Sequence, residues 1–305
     1  PEVGILSGWW GTLGCALASA LPCAMFAVLG PIIRQRCGGD FVFSLTDWVR
    51  ERFGRPLQLY LSLVSIFYMW VYLVAELASV GNLIRDMAGL SPLVALLPVS
   101  ISTMVYTSLV GVHASLLTDR LQGVTMVIFI IVTVVACSGG LNMAEGKWDE
   151  VSTWSDAGFE SLVTLVLALL GAELVKMGTW QRVYAAQSVA ALRKGCLLGG
   201  VFIFVTMFLF GLAGMLAEAQ DRSRPESSLV IKSLGFFDLF ASQGEVMKCF
   251  VLALALIMLT SSVDSLQTGF ISVLSKDILI TNFTRLQSLI AGQAFLVAVN
   301  VPAII

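Results

Sequence analysis

The chain has 305 residues, of which 57% are hydrophobic and 12% are charged, and its formal net charge is −2. A soluble domain carries about 25% charged residues, and a single soluble core cannot bury this much apolar surface. The charge balance does not favour a nucleic-acid-binding protein, and the six cysteines form no CxxC or Cys/His ligand set. Because no Gly-rich phosphate loop, nucleophile elbow or HExxH motif is present, the sequence predicts neither an enzyme nor a cofactor.

Eight apolar segments of about 20 residues follow one another along the chain. They are 8–33, 57–84, 91–110, 121–141, 159–180, 195–217, 246–272 and 286–305. About 20 helical residues cross a hydrocarbon core of about 30 Å, and the segments lack strand-like alternation. The sequence therefore predicts an all-α, polytopic membrane helix bundle of about eight transmembrane helices, forming one domain over 1–305. The polar stretch 218–245 is predicted to be an extramembrane loop with a short helix on the membrane surface.

Positive charge is distributed unequally between the two sets of alternating connections. Eleven Lys and Arg residues fall on the side of the first loop and six on the opposite side. Since cytoplasmic loops carry the excess of Lys and Arg, the chain is predicted to start and end outside. The predicted cytoplasmic loops are 34–56, 111–120 (with His113), 181–195 and 273–285. Because the chain opens at Pro1 and stops inside an apolar run at Ile305, we expect it to be truncated at both ends.

Ionisable side chains inside the predicted spans are the first candidates for function, because each costs at least a few kcal/mol in a bilayer. They are Glu76, Asp264, and the pair Glu173 and Lys176, which lie three residues apart on one helical face. A neutralised ion pair that only packs against its neighbours is an open alternative for the pair. For Glu76, a buried carboxylate bonded to Ser or Tyr neighbours is favoured over a ligand.

Two glycines, Gly171 and Gly178, flank the charged pair in segment 159–180. Each weakens a helix by about 1 kcal/mol relative to Ala, and irregular backbone survives in a membrane only where it faces protein or water. We therefore predict a break between Gly171 and Thr179 that faces a central cavity. A straight helix with a packed ion pair is the alternative.

Five oxygen-bearing side chains lie within six residues of one span, namely Thr260, Ser261, Ser262, Asp264 and Ser265. Such hydroxyls can bond to carbonyls four residues earlier or help helices to pack closely. They can also coordinate a hard cation such as Na⁺, as at transporter midplane sites. The cluster by itself does not decide between packing and cation binding.

Four stretches carry a more specific pattern. They are 44–54 (SLTDWVRERFG), 111–122 (GVHASLLTDRLQ), 180–186 (WQRVYAA), and 261–265 (SSVDS) followed by 275–278 (SKDI). In their order and spacing they resemble the sodium:solute symporter family, whose members include proline, galactose, choline, pantothenate and urea transporters. The serine stretch looks most like the choline branch.

The resemblance implies a LeuT-type bundle of inverted repeats, of which this chain would hold core helices two to nine, without the first core helix and the C-terminal helices. It implies a Na⁺ site at Ser261, Ser262 and the carbonyl of Met258, with Asp119 associated with cation passage on the cytoplasmic side. It also implies a broken sixth core helix that lines the substrate pocket. The substrate or cavity candidates are Glu173, Lys176, Gly178, Trp180, Asp264 and Glu76.

The implied function is secondary active symport, coupled to sodium or protons, of a small organic solute. The protein would be an integral membrane protein, expected in the plasma membrane, with the lipid bilayer, the solute and Na⁺ as partners. A LeuT-fold permease without sodium coupling is an open alternative. Such a protein would have the same architecture, but its serines would not be Na⁺ ligands. A channel would need a wide polar stripe on several helices, and a receptor would be expected to leave its spans free of buried charge.

Overall fold

The structure is a computed structural model that describes residues 2–36, 44–110, 112–138, 146–219 and 245–278, and scattered positions from 287 to 298. The side chains of 108–114 and 136–138 are not among the described ones. The helices of the described part, in chain order, are α1 Glu2–Arg36, α2 Leu45–Phe53, α3 Arg55–Ala88, α4 Leu93–Val110, α5 Val112–Ser138, α6 Lys147–Val151, α7 Asp156–Val175, α8 Met177–Ala185, α9 Val189–Glu218 and α10 Glu245–Val273. A π-helical turn, Leu274–Ile278, continues α10.

Within the described residues, six helices are long and apolar enough to cross a membrane: α1, α3, α5, α7, α9, and α10 with its π-helical extension. α4 is a shorter apolar helix. Seven of the eight predicted segments thus coincide with apolar helices, and the all-α polytopic bundle is confirmed. The eighth segment, 286–305, lies mostly outside the described residues, as does nearly all of the predicted loop 218–245.

The prediction of a loop over 111–120 is wrong, because α5 begins at Val112 and runs on through this stretch, whereas the side of the membrane on which it lies stays a prediction. His113 and Asp119 therefore lie within a helix. The polarity that suggested a loop has another origin, since the Asp119 carboxylate is paired with Arg182 at 2.7 Å inside the bundle. Pairing lowers the cost of a carboxylate inside a membrane-spanning helix, so Asp119 can lie within α5 rather than in a loop.

Local chemistry sets the ends of α2 and α3. The backbone N–H of Asp47 donates to Ser44 Oγ at 3.2 Å, which caps α2. Gly54, with φ of 86°, ends α2 in a conformation that favours glycine. Pro56 stands in the first turn of α3, where the missing N–H has no helical acceptor. The left-handed Gly89 ends α3.

The chain divides into two compact units. The first comprises Pro1–Val28, Met126–Gly171 and Arg193–Val251, and the second comprises Leu29–Thr125, Ala172–Leu192 and Leu252–Ile305. The first contains an aromatic cluster in which Trp9 stacks on Trp154 at 6.1 Å between ring centroids. All the candidate site residues belong to the second unit. A single transporter domain over 1–305 stays a prediction.

In the second unit, a buried carboxylate fastens α3 to the turn that follows α10. Asp277 is 4% exposed. It accepts hydrogen bonds from Gln58 Nε2 at 3.0 Å and from Ser62 Oγ at 2.6 Å. These two bonds join residues that are far apart in the sequence, so they hold the end of α10 against the start of α3.

Candidate functional site

The helix predicted to be interrupted is broken at one residue. α7 ends at Val175 and α8 begins at Met177, and Lys176 between them is extended, with φ −79° and ψ 99°. The predicted break between Gly171 and Thr179 is therefore confirmed. The break faces other side chains of the second unit, among them Trp180 and Tyr72, whereas its place at a central cavity stays a prediction.

The indole of Trp180 bridges this break. Its Nε1–H donates to the carbonyl of Leu174 at 2.8 Å. A broken helix leaves carbonyls without helical donors, and this bond satisfies one of them. Since the side chain is fully buried, Trp180 stabilises the broken geometry, and its proposed contact with solute stays a prediction.

The charged pair is formed at the break. Lys176 Nζ lies 3.1 Å from Glu173 Oε1, and both side chains are about one-fifth exposed. Thr179 Oγ1 donates to the second oxygen of Glu173 at 3.0 Å. The Lys176 ammonium also lies 4.7 Å from the ring centroid of Tyr72 on α3. The pair therefore connects both halves of the broken helix to α3.

Glu76 lies one turn beyond Tyr72 on α3 and faces the same region. Its carboxylate accepts hydrogen bonds from the hydroxyls of Tyr72 and Ser262, and it interacts electrostatically with Lys176. The favoured explanation from the sequence, a carboxylate bonded to Ser and Tyr neighbours, matches these contacts. The same contacts also place Glu76 between the break and the serine helix, α10.

The two adjacent serines of α10 have different partners. Ser261 Oγ lies 2.8 Å from Gln122 Oε1 and 3.3 Å from Asp119 Oδ1, whereas Ser262 bonds to Glu76. Adjacent helical residues point about 100° apart, which accounts for the divergence. The structure thus brings Ser261 and Asp119 together. α10 is continuous through Met258, so its carbonyl is an ordinary helical acceptor with one lone pair to spare.

Asp119 is held by a guanidinium from α8. Arg182 Nε and Nη2 donate to the two carboxylate oxygens of Asp119 at 2.8 and 2.9 Å. Nη2 also donates to Ser265 Oγ at 2.7 Å, and Nη1 donates to the carbonyl of Gly178 at 2.9 Å. A planar fork suits this bidentate geometry. Arg182 therefore ties α5, α8 and α10 together.

Asp264 is fully buried on the same helix as the serines. Its carboxylate accepts hydrogen bonds from Tyr106 Oη at 2.8 Å, from Ser115 Oγ at 3.0 Å and from Thr118 Oγ1. These donors are neutral hydroxyls from α4 and α5. A buried carboxylate held this way inside a span is a candidate for cation or proton binding.

Gly178 allows α8 to approach α10 closely. A Cβ at this position would lie 3.1 Å from the backbone carbonyl oxygen of Ser265. Gly269 lies one turn after Ser265 on α10, and a Cβ added to it would lie 3.5 Å from the backbone nitrogen of Gly178. The broken helix therefore packs directly on the serine helix, with backbone rather than side chains at the contact.

Several residues of the site were not assigned a role from the sequence. They are Tyr72, Tyr106, Ser115, Gln122 and Arg182. Gln122 and Arg182 lie inside the family-like stretches, and their polarity next to a span was the available signal. Tyr72 carried none, because an aromatic residue in a span also suits a lipid interface.

A broken helix that packs on a hydroxyl-rich helix, together with six described helices of membrane-spanning length, defines a polytopic α-helical membrane protein. The structure superposes on a Na⁺-coupled sialic acid symporter in a substrate-bound, outward-open state with a TM-score of 0.79. The match covers 99% of this chain and 68% of that chain, at 15% sequence identity. The LeuT-type fold is thereby confirmed.

The family model described as "Sodium:solute symporter family" matches residues 6–299, and the chain belongs to this family. It is 28% identical over 291 residues to the spermidine transporter DUR31 of Candida albicans, and this match covers 91% of this chain and 53% of that protein. It is 25% identical over 188 residues to the sodium/pantothenate symporter of Escherichia coli (58% and 39%). It is 21% identical over 201 residues to the sodium/glucose cotransporter of Vibrio parahaemolyticus (58% and 36%). The chain thus spans about half, or less, of the length of these curated relatives.

Proposed function

We propose that the protein lies in the plasma membrane and couples the entry of Na⁺ to the uptake of a small organic solute. The observation that carries this proposal is the direct packing of the broken helix on the serine helix, with Gly178 against the Ser265 carbonyl. Coupling requires that binding at one site changes the affinity at the other. A shared backbone contact between the two helices supplies a physical route for that change.

The Na⁺ ligands in this proposal are the hydroxyls of Ser261 and Ser262 and the carbonyl of Met258. They are neutral oxygen donors, the type that binds Na⁺ at transporter midplane sites. A hydroxyl can donate its hydrogen to one acceptor while its lone pairs face a cation. Gln122 and Glu76, which accept from the two serines, would hold the hydroxyl hydrogens away from the ion. Asp119, 3.3 Å from Ser261, would attract the cation on the cytoplasmic side.

The test is solute uptake by the intact protein in proteoliposomes, with and without an inward Na⁺ gradient. Ser261→Ala and Ser262→Ala should each raise the Na⁺ concentration for half-maximal uptake about tenfold, because one ligand bond to a cation contributes about 1.4 kcal/mol or more. Thr260→Ala is the matched control. The Thr260 hydroxyl bonds to the Leu256 carbonyl of its own helix at 2.8 Å, so its loss should leave the Na⁺ dependence unchanged. If both serine variants keep the wild-type Na⁺ dependence, these hydroxyls are not cation ligands.

A second candidate, proton coupling, is favoured by the fully buried Asp264. If protons drive transport, an inward pH gradient without Na⁺ should drive uptake, and Asp264→Asn should abolish that uptake. Uptake that does not respond to the pH gradient and depends only on Na⁺ excludes this alternative.

Surface biotinylation of cells that express the intact protein tests the plasma-membrane location. The proposed location is wrong if the protein is labelled only after permeabilisation.

The relatives are named for solutes that differ in charge. Spermidine is a polyamine, pantothenate is a carboxylate and glucose is neutral, and each solute is stated for that protein alone. The class of solute for this protein therefore has to come from the chemistry of its own site.

A further inference from the structure

The residue at the helix break is itself a bound primary amine. Lys176 places its ammonium 3.1 Å from a Glu173 oxygen and 4.7 Å from the centroid of the Tyr72 ring. A carboxylate on one side and an aromatic face on the other form the environment in which proteins bind organic ammonium groups. The break therefore contains a site that binds an ammonium group, and the ammonium group bound there is that of Lys176.

Acidic groups outnumber basic groups at this site. Among the residues described at the break, the carboxyl groups of Glu173 and Glu76 face one ammonium group, that of Lys176. With two acids and one ammonium group, the site has an acid with which a further cationic group can pair, and this pairing offsets the cost of an ionised carboxylate inside a membrane.

The carboxylates are held in place independently of the lysine. Glu173 accepts a second hydrogen bond from Thr179 at 3.0 Å, and Glu76 accepts from Tyr72 and Ser262. If the Lys176 ammonium moves away, both acids keep these hydroxyl donors and their positions. Lys176 itself is extended and outside both helices, so its side chain can turn without disrupting helical hydrogen bonds.

We propose that Lys176 is an internal substitute for an ammonium group of the solute, and that the solute is an organic amine with at least one primary ammonium group. The solute ammonium replaces Lys176 Nζ between Glu173 and the Tyr72 ring, and Glu76 receives the displaced lysine or a second amine. This inference rests on the proposed transport function and names its substrate class. In the absence of solute, the tethered lysine keeps the two acids partly neutralised.

The experiment uses the intact protein in detergent and putrescine as the probe. The readout is the shift in apparent melting temperature, since a ligand that binds only the folded state stabilises it by an amount that grows with the logarithm of its affinity. Putrescine should stabilise the wild type, whereas 1,4-butanediol, which has the same length and no charge, should not. Lys176→Met removes the internal competitor and keeps the side-chain length. The affinity for putrescine should rise about fivefold, which corresponds to about 1 kcal/mol.

Lys248 offers a matched control. It forms an ion pair of the same sequence spacing with Glu245, at 2.7 Å, and both residues belong to the first unit. Lys248→Met should leave the putrescine affinity at the wild-type value. A Lys176→Met protein that binds putrescine no better than wild type, or worse, overturns the inference, because the lysine then does not compete with the amine.

Tyr72 gives a second test if Lys176→Met fails to fold. Tyr72→Phe and Tyr72→Leu both remove the hydroxyl that donates to Glu76, but only Tyr72→Phe keeps the aromatic face. The putrescine affinity of Tyr72→Leu should therefore be about fivefold lower than that of Tyr72→Phe, because cation–π contacts contribute about 1 kcal/mol. Equal affinities of the two variants overturn the inference.

Sodium separates this inference from the function on which it rests. Na⁺ alone should stabilise the wild type, and Ser261→Ala should reduce that shift. If Na⁺ stabilises the protein but putrescine gives neither a shift nor uptake, the amine class is wrong and the symport proposal stands. If Na⁺ gives no shift and drives no uptake, the symport proposal fails, and the substrate assignment fails with it.

Discussion

Replacing Arg182 with methionine removes the guanidinium that joins three helices of the second unit. The variant loses the bidentate contact with Asp119 at 2.8 and 2.9 Å and the bond to Ser265 at 2.7 Å. Methionine fills most of the volume of the arginine stem, so packing changes little. The main effect is an Asp119 carboxylate left without its cation inside the bundle.

The magnitude follows from the exposure of the pair. Removing one partner of a fully buried ion pair costs about 3–5 kcal/mol, whereas a solvent-exposed pair contributes about 0–1 kcal/mol. The side chains of Arg182 and Asp119 are 33% and 27% exposed, which places the cost between these limits, at about 2 kcal/mol. At about 2–4 °C per kcal/mol for a unit of this size, the apparent melting temperature should fall by roughly 4–8 °C.

The assay is a double-mutant cycle in detergent at one fixed scan rate, because membrane proteins often unfold irreversibly. Arg182→Met, Asp119→Asn and the double variant are compared with wild type. Asp119→Asn should rescue much of the Arg182→Met loss, since it removes the orphaned charge, with a coupling of about 1–2 kcal/mol. If the two single effects simply add, the pair contributes no coupling and the reasoning is refuted. Arg182→Lys should be intermediate, because an ammonium cannot reproduce the fork.

Three further predictions concern the break and the topology. Gly178→Ala should lower the apparent melting temperature by several degrees, since overpacking costs about 1–3 kcal/mol and the new Cβ lies 3.1 Å from a backbone oxygen of α10. Gly171→Ala, whose Cβ meets nothing within 4 Å, is the control and should be neutral or stabilising. Trp180→Phe removes the bond that bridges the break and should cost about 1–3 kcal/mol, and an unchanged melting temperature would show that water replaces the indole. Cysteines at the exposed Arg50 and Arg85 should be labelled from opposite sides of the membrane, and labelling from one side would contradict the charge-based topology.

The membrane class, the positions of seven apolar helices and the broken helix could be predicted from the sequence because their causes are local. Long apolar runs can satisfy their backbone in lipid only as helices, whatever their neighbours are. The break at Lys176 followed from two glycines around a charged pair, which also act on the chain locally. The same local reasoning failed at 111–120. A loop was predicted there because the stretch is polar, but Asp119 is paired with Arg182, which is distant in the sequence, and the stretch is helical.

The partners of the site residues could not be predicted, because helix packing fixes them. Ser261 and Ser262 are neighbours in sequence, yet packing directs one towards Gln122 and the other towards Glu76. The Tyr72 ring centroid lies 4.7 Å from Lys176 Nζ because α3 packs against the break, and nothing in the sequence pattern indicates this contact. Side-chain distances of about 3–5 Å between helices depend on which faces meet, and in a membrane that choice depends on close packing and interhelical hydrogen bonds rather than on hydrophobic pattern. The sequence by itself therefore determined that ionisable groups lie within the spans, and only the tertiary structure decided which of them share a site.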